Sequence, residues 1–150
     1  MADGQLSDDP FAPPDASRAR AHRDFAALNR IAERHGATER RRRRWRHETV
    51  LDPYEAVALV VSLAAGSARP ERGEAPLDGT DLIAALTLVP HVRADLDTLE
   101  AGLLNLARAR GLTWQAIAFG LGLGTPQAAR QRFERLTERT GPDTVDDRRQ

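Results

Sequence analysis

The chain has 150 residues, and its 22 basic and 22 acidic side chains leave no formal net charge at pH 7. It contains no cysteine, which excludes disulfide bonds, thiolate metal sites and a cysteine nucleophile. The longest apolar stretch, residues 56–65, is far shorter than the roughly 20 residues that span a bilayer. The N-terminus has neither the basic nor the apolar part of a signal peptide. We therefore expect a cytoplasmic protein that makes no membrane contact.

The charges are concentrated in blocks. Residues 1–16 contain four acids and no base, whereas residues 17–48 contain eleven arginines and four acids. Residues 111–140 contain four arginines and two glutamates. Two separate basic blocks in a neutral chain indicate an anionic partner.

Residues 1–16 are rich in proline and aspartate, which predicts a disordered acidic tail. An N-terminal helical region over 17–70 follows. Ser17 is a candidate N-cap, and apolar residues recur at helical spacing up to Gly36, a candidate C-terminal cap: Phe25, Leu28, Ala32 and His35. The basic run over 38–48 can continue as helix.

A second helix is predicted over 53–65 and is more apolar than one buried stripe requires. Asp52, Pro53 and Glu55 supply the N-cap, the first helical residue and the capping-box acid, and Gly66 ends the helix. The excess apolar surface predicts a homodimer contact, and the alternative is that this helix docks into its own domain. The residues concerned are Val57, Leu59, Val60, Val61 and Leu63.

The next segment, 66–79, is predicted to be a linker because it is rich in glycine and proline. Asp78 or Thr80 then caps a short helix over 81–89, and Pro90 starts another over 91–110. This last helix carries apolar residues at spacings of 4, 3, 4 and 3, which predicts packing within a bundle. A dimer seam is the alternative, although two heptads fall short of the three or four typical of a coiled coil. The stripe consists of Val92, Leu96, Leu99, Leu103 and Leu106.

Two short helices with a glycine turn between them are predicted within 76–140. Thr113 caps the first, whose apolar face is Trp114, Ile117, Ala118 and Leu121. Gly122 supplies the left-handed residue of the turn. Thr125 and Pro126 start the second helix, 126–138, with Ala129, Phe133 and Leu136 inward. The fold class is therefore all-α, a helical bundle with a C-terminal helix-turn-helix, followed by a disordered tail over 141–150.

The pattern W-x-x-I-A-x-x-L-G-L-x-T-x-x-A-A resembles the helix-turn-helix of bacterial transcription regulators and is similar to the DNA-reading helix pair of sigma factors. The stretch LDTLEAGLLNLARARGLTWQAIAFGLGLGTPQAARQRFERL resembles small helix-turn-helix DNA-binding proteins of actinobacteria more closely. This likeness covers about residues 96–136. It implies binding of double-stranded DNA and control of transcription, hence a nucleoid-associated location.

The residue chemistry of the second helix agrees with that expectation. Such a helix lies in the major groove, where glutamine pairs with adenine, arginine with guanine, and glutamate accepts from cytosine. Residues at the two helix starts are placed for backbone phosphates. The predicted DNA-binding residues of the pair are Thr113, Gln115, Thr125, Gln127, Arg130, Gln131, Glu134 and Arg135.

The arginine run is a less specific candidate for phosphate contacts. Its members are Arg40, Arg41, Arg42, Arg43, Arg44 and Arg46. Alternatively the run is solvated, or is paired with the acidic N-terminal tail.

Nothing in the sequence indicates catalysis, a metal or a cofactor. The four histidines are scattered, and there is neither a nucleophile elbow nor a phosphate-binding loop. We therefore expect a non-enzymatic protein without cofactors. Two other hypotheses remain open, namely a non-catalytic protein-interaction module and a nucleoid-type architectural DNA binder.

Overall fold

The computed structural model describes residues 15–45 and 51–141, and those residues contain six helices and no strand. The all-α prediction is confirmed. Arg46 and most of both predicted tails lie outside the described residues. The helices are α1 (Ala16–His35), α2 (Glu39–Arg42), α3 (Pro53–Ala64), α4 (Gly79–Ala109), α5 (Trp114–Gly120) and α6 (Pro126–Thr140).

The chain divides into two compact units, one up to Val89 and the other from Pro90 onward. This division falls later in the chain than the predicted boundary between residues 70 and 76. The first turns of α4 belong to the first unit, because Ala84, Ala85 and Leu88 are buried in its core. Leu88 is fully buried there.

Helix α1 starts two residues earlier than predicted, because Asp15 and not Ser17 is the N-cap. The Asp15 carboxylate accepts from the backbone N–H groups of Ser17 and Arg18. The buried face is Ala27, Ile31 and His35. Phe25, predicted on the apolar face, is 70% exposed.

Gly36 has a different role from the predicted left-handed cap, since its φ is −135°. The ring of Trp45 lies where a β-carbon on Gly36 would be, so any side chain there would clash with the indole. Trp45 is itself buried in the core of the first unit. The glycine is required by close packing and not by backbone conformation.

Helix α3 begins as predicted, with the Asp52 carboxylate accepting from the backbone N–H of Glu55 at 2.8 Å. Ala56, Leu59 and Val60 are buried in the first unit. Val57 and Leu63 pack partly against the same core, and Val61 and Tyr54 are exposed. Docking into its own unit thus accounts for most of the apolar surface of α3.

The segment between α3 and α4 is bound to α1 by ion pairs. Arg30 Nε donates to Asp81 Oδ1 at 2.9 Å, and Arg34 Nε donates to Asp81 Oδ2 at 3.1 Å. Arg30 Nη2 also donates to Asp78 at 2.8 Å. Asp78 and Asp81 exchange backbone-to-carboxylate hydrogen bonds of 2.9 and 3.0 Å at the start of α4, so Asp78 is the cap and Thr80 is not.

Glu74, in the middle of the predicted linker, has a fully buried side chain. Its carboxylate lies 2.8 Å from His35 Nδ1 and accepts from Arg44 Nη2 at 2.8 Å. The backbone N–H of Glu71 donates to the second oxygen at 2.7 Å. Residues 66–78 therefore form a docked loop of the first unit.

Helix α4 runs through Pro90 without a break, so the predicted pair of separate helices is wrong. Proline inside a helix removes one backbone hydrogen bond, at about 3 kcal/mol or more. Pro90 lies between the part of α4 that packs in the first unit, with Leu88, and the part that packs in the second, with Leu104.

The predicted bundle packing of the heptad stripe is also wrong. Leu96, Leu99, Leu103 and Leu106 are between 61% and 71% exposed, and only Val92 is half-buried. The second core uses Ala101 and Leu104 from this part of α4 instead. No helix of the described part of the chain is long and apolar enough to cross a membrane.

We predict that acid destabilises the first unit through its buried carboxylates. Burial raises the pKa of Asp81, but the backbone N–H of Asp78 and the guanidinium groups of Arg34 and Arg30 outweigh it, so its pKa is lowered overall. The pKa of Glu74 is also lowered overall. Burial raises it, but hydrogen bonds from Arg44, from the backbone N–H of Glu71 and from His35 outweigh that effect. A carboxyl whose pKa is depressed on folding stabilises the protein above its unfolded pKa, about 4, and this stabilisation is lost as the pH falls through the folded value.

Asp81→Asn should therefore lower the free energy of unfolding by about 3 kcal/mol at neutral pH, because it leaves two guanidinium groups without their shared carboxylate. The variant should also lose less stability than the parent on acidification below about pH 4. Urea unfolding followed by circular dichroism at several pH values measures both effects. Glu39→Gln, in the same unit at a carboxylate that is 70% exposed, is the matched control and should change each far less. Parent-like stability and acid profile in Asp81→Asn would contradict the prediction.

Candidate nucleic-acid interface

Helices α5 and α6 form a pair joined by residues 121–125. Thr113 Oγ1 accepts from the N–H of Ala116, and Thr125 Oγ1 accepts from that of Ala128, both at 3.1 Å. Pro126 is the first helical residue of α6. The predicted starts of both helices are confirmed.

The turn between the two helices depends on Gly122, whose φ is +67°. Its N–H donates to the carbonyl of Phe119 at 3.1 Å, and the N–H of Leu123 donates to that of Ala118 at 2.8 Å. These bonds use carbonyl groups that the end of α5 would otherwise leave unpaired. Leu123 then packs against the core of the second unit.

The pair is held on α4 by a small apolar core. Ile117 and Ala118 of α5 and Ala129 and Leu136 of α6 are buried, together with Ala101 and Leu104. Ala129 is fully buried, and its small side chain lets the helices approach closely. The rings of Trp114 and Phe133 lie 5.7 Å apart at the edge of this core.

Two ion pairs fix α6 against α4. Arg132 binds Glu100 with both Nε and Nη2, the latter at 2.8 Å from Oε2. Arg139 Nε lies 3.3 Å from a carboxylate oxygen of Asp97. The hydrogen bond from Arg132 lowers the pKa of Glu100 despite its partial burial. These contacts engage two of the four arginines of this basic block within the chain.

The opposite side of α6 carries polar side chains with no internal role. Within residues 15–45 and 51–141, Gln127, Gln131, Glu134 and Arg135 are exposed and have no side-chain partner. Arg130 is exposed, and its guanidinium carbon lies 5.9 Å from the centre of the Trp114 ring. The residues predicted on α6 thus lie on its solvent side, which we call the α6 outer face.

Three predicted phosphate ligands lie at the helix starts. The hydroxyl oxygens of Thr113 and Thr125 accept the capping bonds, which leaves each hydroxyl hydrogen available to an outside acceptor. Gln115 is exposed in the first turn of α5.

A cation–π contact at Trp114 was not predicted. The Arg108 guanidinium lies 4.9 Å from the centre of the indole ring, and Arg108 Nη1 donates to the carbonyl of Leu112 at 2.6 Å. Gly111, with φ +82°, turns the chain back between the two residues. No helical spacing rule connects them, so the sequence pattern carried no signal for this contact.

The arginine run lies in the first unit, and its members differ in their surroundings. Arg41 is buried and donates to the carbonyl of Arg34, whereas Arg44 binds Glu74 and the carbonyl of His35. These two guanidinium groups stabilise the first unit and are not exposed for DNA contacts. The remaining described members, Arg40, Arg42 and Arg43, contact Glu71, the carbonyl of Gly36 and Glu39, respectively.

Phe119 is the most exposed large apolar residue of the second unit, at 87%. It lies near the end of α5, on the side away from Ile117 and Ala118. The position of Phe119 falls between the helical spacings that define the buried face of α5, so the sequence pattern did not indicate this residue.

No protein-family model matches this chain, and neither a curated protein nor a solved structure is similar to it.

We predict that Gly122→Val destabilises the second unit. A left-handed conformation costs a non-glycine residue about 1–2 kcal/mol, and a β-branched side chain resists it further. The strain comes from the backbone alone, because a β-carbon at this position meets no atom within 4 Å. Thermal unfolding followed by circular dichroism should show a lower melting temperature.

Gly120→Ala is the matched control, two residues earlier and equally open. It lies within α5 and has no positive φ, so alanine should raise the stability by up to about 1 kcal/mol. An unchanged melting temperature in Gly122→Val would show that the turn does not depend on the left-handed glycine.

Proposed function

We propose that the α5–α6 pair is a helix-turn-helix that binds double-stranded DNA, with α6 in the major groove. The observation that carries this proposal is the sorting of polar side chains around α6. Arg132 and Arg139 bind carboxylates of α4, whereas the glutamine and arginine side chains of the α6 outer face have no such role. A helix that is anchored on one side and offers unengaged hydrogen-bonding groups on the other is suited to base readout.

The chemistry of the outer face fits base edges. Gln127 and Gln131 each offer the donor and acceptor pair that adenine N7 and N6 require, and Arg130 and Arg135 offer the fork that binds guanine. Glu134 accepts from cytosine N4. Gln127, Arg130, Gln131 and Glu134 recur at three- and four-residue spacing, so they lie along one line of the helix.

Backbone phosphates would lie at the helix starts. In the first turn of α6, Pro126 has no N–H and the N–H of Ala128 is bonded to Thr125, so the N–H of Gln127 remains available. This group and the Thr125 hydroxyl suit one phosphate, and Thr113 and Gln115 suit a neighbouring one. Such contacts position the protein on the duplex without reading its sequence. Arg41 and Arg44 take no part in this surface, because both are engaged within the first unit.

If the protein binds DNA selectively in this way, it acts as a transcriptional regulator in the cytoplasm, associated with the nucleoid. A nucleoid-type architectural binder is the related alternative and would use the same phosphates without base preference. Selection of bound duplexes from a random pool separates the two, since only a regulator enriches a defined site. Failure of the full chain to bind any duplex at low salt would overturn the DNA proposal altogether.

We predict that Gln127→Ala and Arg130→Ala each weaken binding to the selected site by about 1–3 kcal/mol, and that each relaxes preference at one base pair. Fluorescence anisotropy with the selected site and with single-base variants of it measures both effects. Equal losses on selected and random duplexes would show that these residues do not read bases.

Arg139→Ala is the control of equal charge on the same helix. Because Arg139 pairs with Asp97, its loss should leave base preference unchanged.

Removing Arg130 should lower the slope of log affinity against log salt by at most about 1 if it also contacts a phosphate.

A protein-interaction module is the second candidate, and the exposure of Phe119 favours it. An aromatic ring that is 87% exposed at the end of a short helix is suited to a partner's apolar pocket. Phe119→Ser should then abolish capture of a partner, whereas Gln127→Ala should not. If α6 binds DNA instead, Gln127→Ala should weaken duplex binding, whereas Phe119→Ser should leave duplex binding unchanged.

A further inference from the structure

Among the described residues of the second unit, nothing packs on four exposed leucines of α4. Leu96, Leu99, Leu103 and Leu106 are 61%, 71%, 66% and 61% exposed, respectively. At about 100° per residue they fall within one sector of the helix about 80° wide. The centre of this sector lies about 150° around the helix from that of Ala101 and Leu104, which face the core. We refer to these four residues as the leucine stripe.

We propose that a second copy of this chain docks on the leucine stripe, with the two α4 helices antiparallel. The spacings of 3, 4 and 3 are those of the a and d positions of a heptad, which pack against the same pattern on another helix. The surface is therefore complementary to itself, as a twofold dimer contact must be. This inference does not depend on DNA binding, although a dimer would present two copies of α6 to paired half-sites.

Charge decides between the two orientations. In a parallel pair in register, Arg110 would face Arg110 of the second copy at an a position. In an antiparallel pair, Leu99 faces Leu103 and Leu96 faces Leu106. Arg110 then comes within reach of Asp95 of the second copy at each end of the seam. Both side chains are exposed, and among the described residues Arg110 has no carboxylate partner.

Gly102 lies beside the midpoint of the antiparallel seam. A glycine inside a helix destabilises it relative to alanine, and a β-carbon at position 102 meets no atom of its own chain within 4 Å. Packing within one copy therefore gives no reason for this glycine. Next to the twofold axis, the absence of a side chain lets the two helix backbones approach closely.

Sedimentation equilibrium of the full chain without DNA tests the proposal. Two heptads make a short seam, so we expect reversible dimers with a dissociation constant on the order of micromolar. Leu103→Glu places a carboxylate in the seam and should raise that constant by at least about 100-fold. The residue is largely exposed in one copy, so circular dichroism should show an unchanged fold.

Leu86→Glu is the matched control, with the same substitution on the same helix at 64% exposure but outside the stripe. It should leave the dissociation constant within about twofold of the parent. A parent chain that stays monomeric at about 100 µM would overturn the proposal. A Leu103→Glu variant that dimerises like the parent would also overturn it. The same holds if Leu86→Glu, and not Leu103→Glu, abolishes the dimer. A monomeric parent whose melting temperature falls in Leu103→Glu would show that the chain itself covers the stripe.

Spin labels test the orientation, and the chain has no native cysteine to remove. Single variants Asn105→Cys and Ala109→Cys place the label at two exposed positions of α4. In the antiparallel dimer the axial offset between equivalent backbone positions is about 12 Å at Asn105 and about 24 Å at Ala109. Dipolar spectroscopy should therefore give a longer distance for Ala109. In a parallel pair Ala109 flanks the seam and Asn105 lies farther from it, so a distance for Ala109 no longer than that for Asn105 would overturn the antiparallel arrangement.

Discussion

Helix α4 supplies apolar side chains to two separate cores, and this double demand shapes the rest of the structure. Leu88 is fully buried in the first unit, and Leu104 is 4% exposed in the second. The helix must therefore be apolar in more than one direction, unlike a surface helix with a single stripe. Pro90 lies between the parts of α4 that enter the two cores, and the helix continues through it despite the missing backbone hydrogen bond. The leucine stripe is one part of this apolar surface that neither core uses.

The first unit is organised around carboxylates that are withdrawn from solvent. Asp81 and Glu74 have fully buried side chains and are surrounded by guanidinium groups from α1 and from the arginine run. Removing one member of such a cluster leaves the others desolvated and unpaired, which is far more costly than losing an exposed ion pair. Much of the positive charge of residues 17–48 is thereby neutralised inside the protein. A count of arginines along the chain overstates what this unit offers to an anionic partner.

The second unit separates its charges in the opposite way. Arg132 and Arg139 are paired with α4, while Arg130 and Arg135 remain on the outer face with the glutamines. The inward pairs fix the orientation of α6, and the outward groups are free to bind a ligand. For the proposed DNA binding, orientation matters because base readout depends on hydrogen-bond geometry. A helix held by Glu100 and by the buried Ala129 and Leu136 meets that requirement better than one held by apolar contacts alone.

The sequence by itself determined the local features of this protein. The helix starts at Asp52, Thr113 and Thr125 and the left-handed Gly122 follow from the chemistry of a few adjacent residues, and the structure contains each of them. The inward and outward residues of α6 also followed from helical periodicity. Only the tertiary structure decided which arginines are internal, that α4 continues through Pro90, and that Leu96, Leu99, Leu103 and Leu106 are exposed. Those outcomes depend on contacts between residues distant in sequence, such as the 51 positions that separate Arg30 from Asp81. Periodicity reports that a face is apolar, whereas the partner of that face is set by the packing of the whole chain.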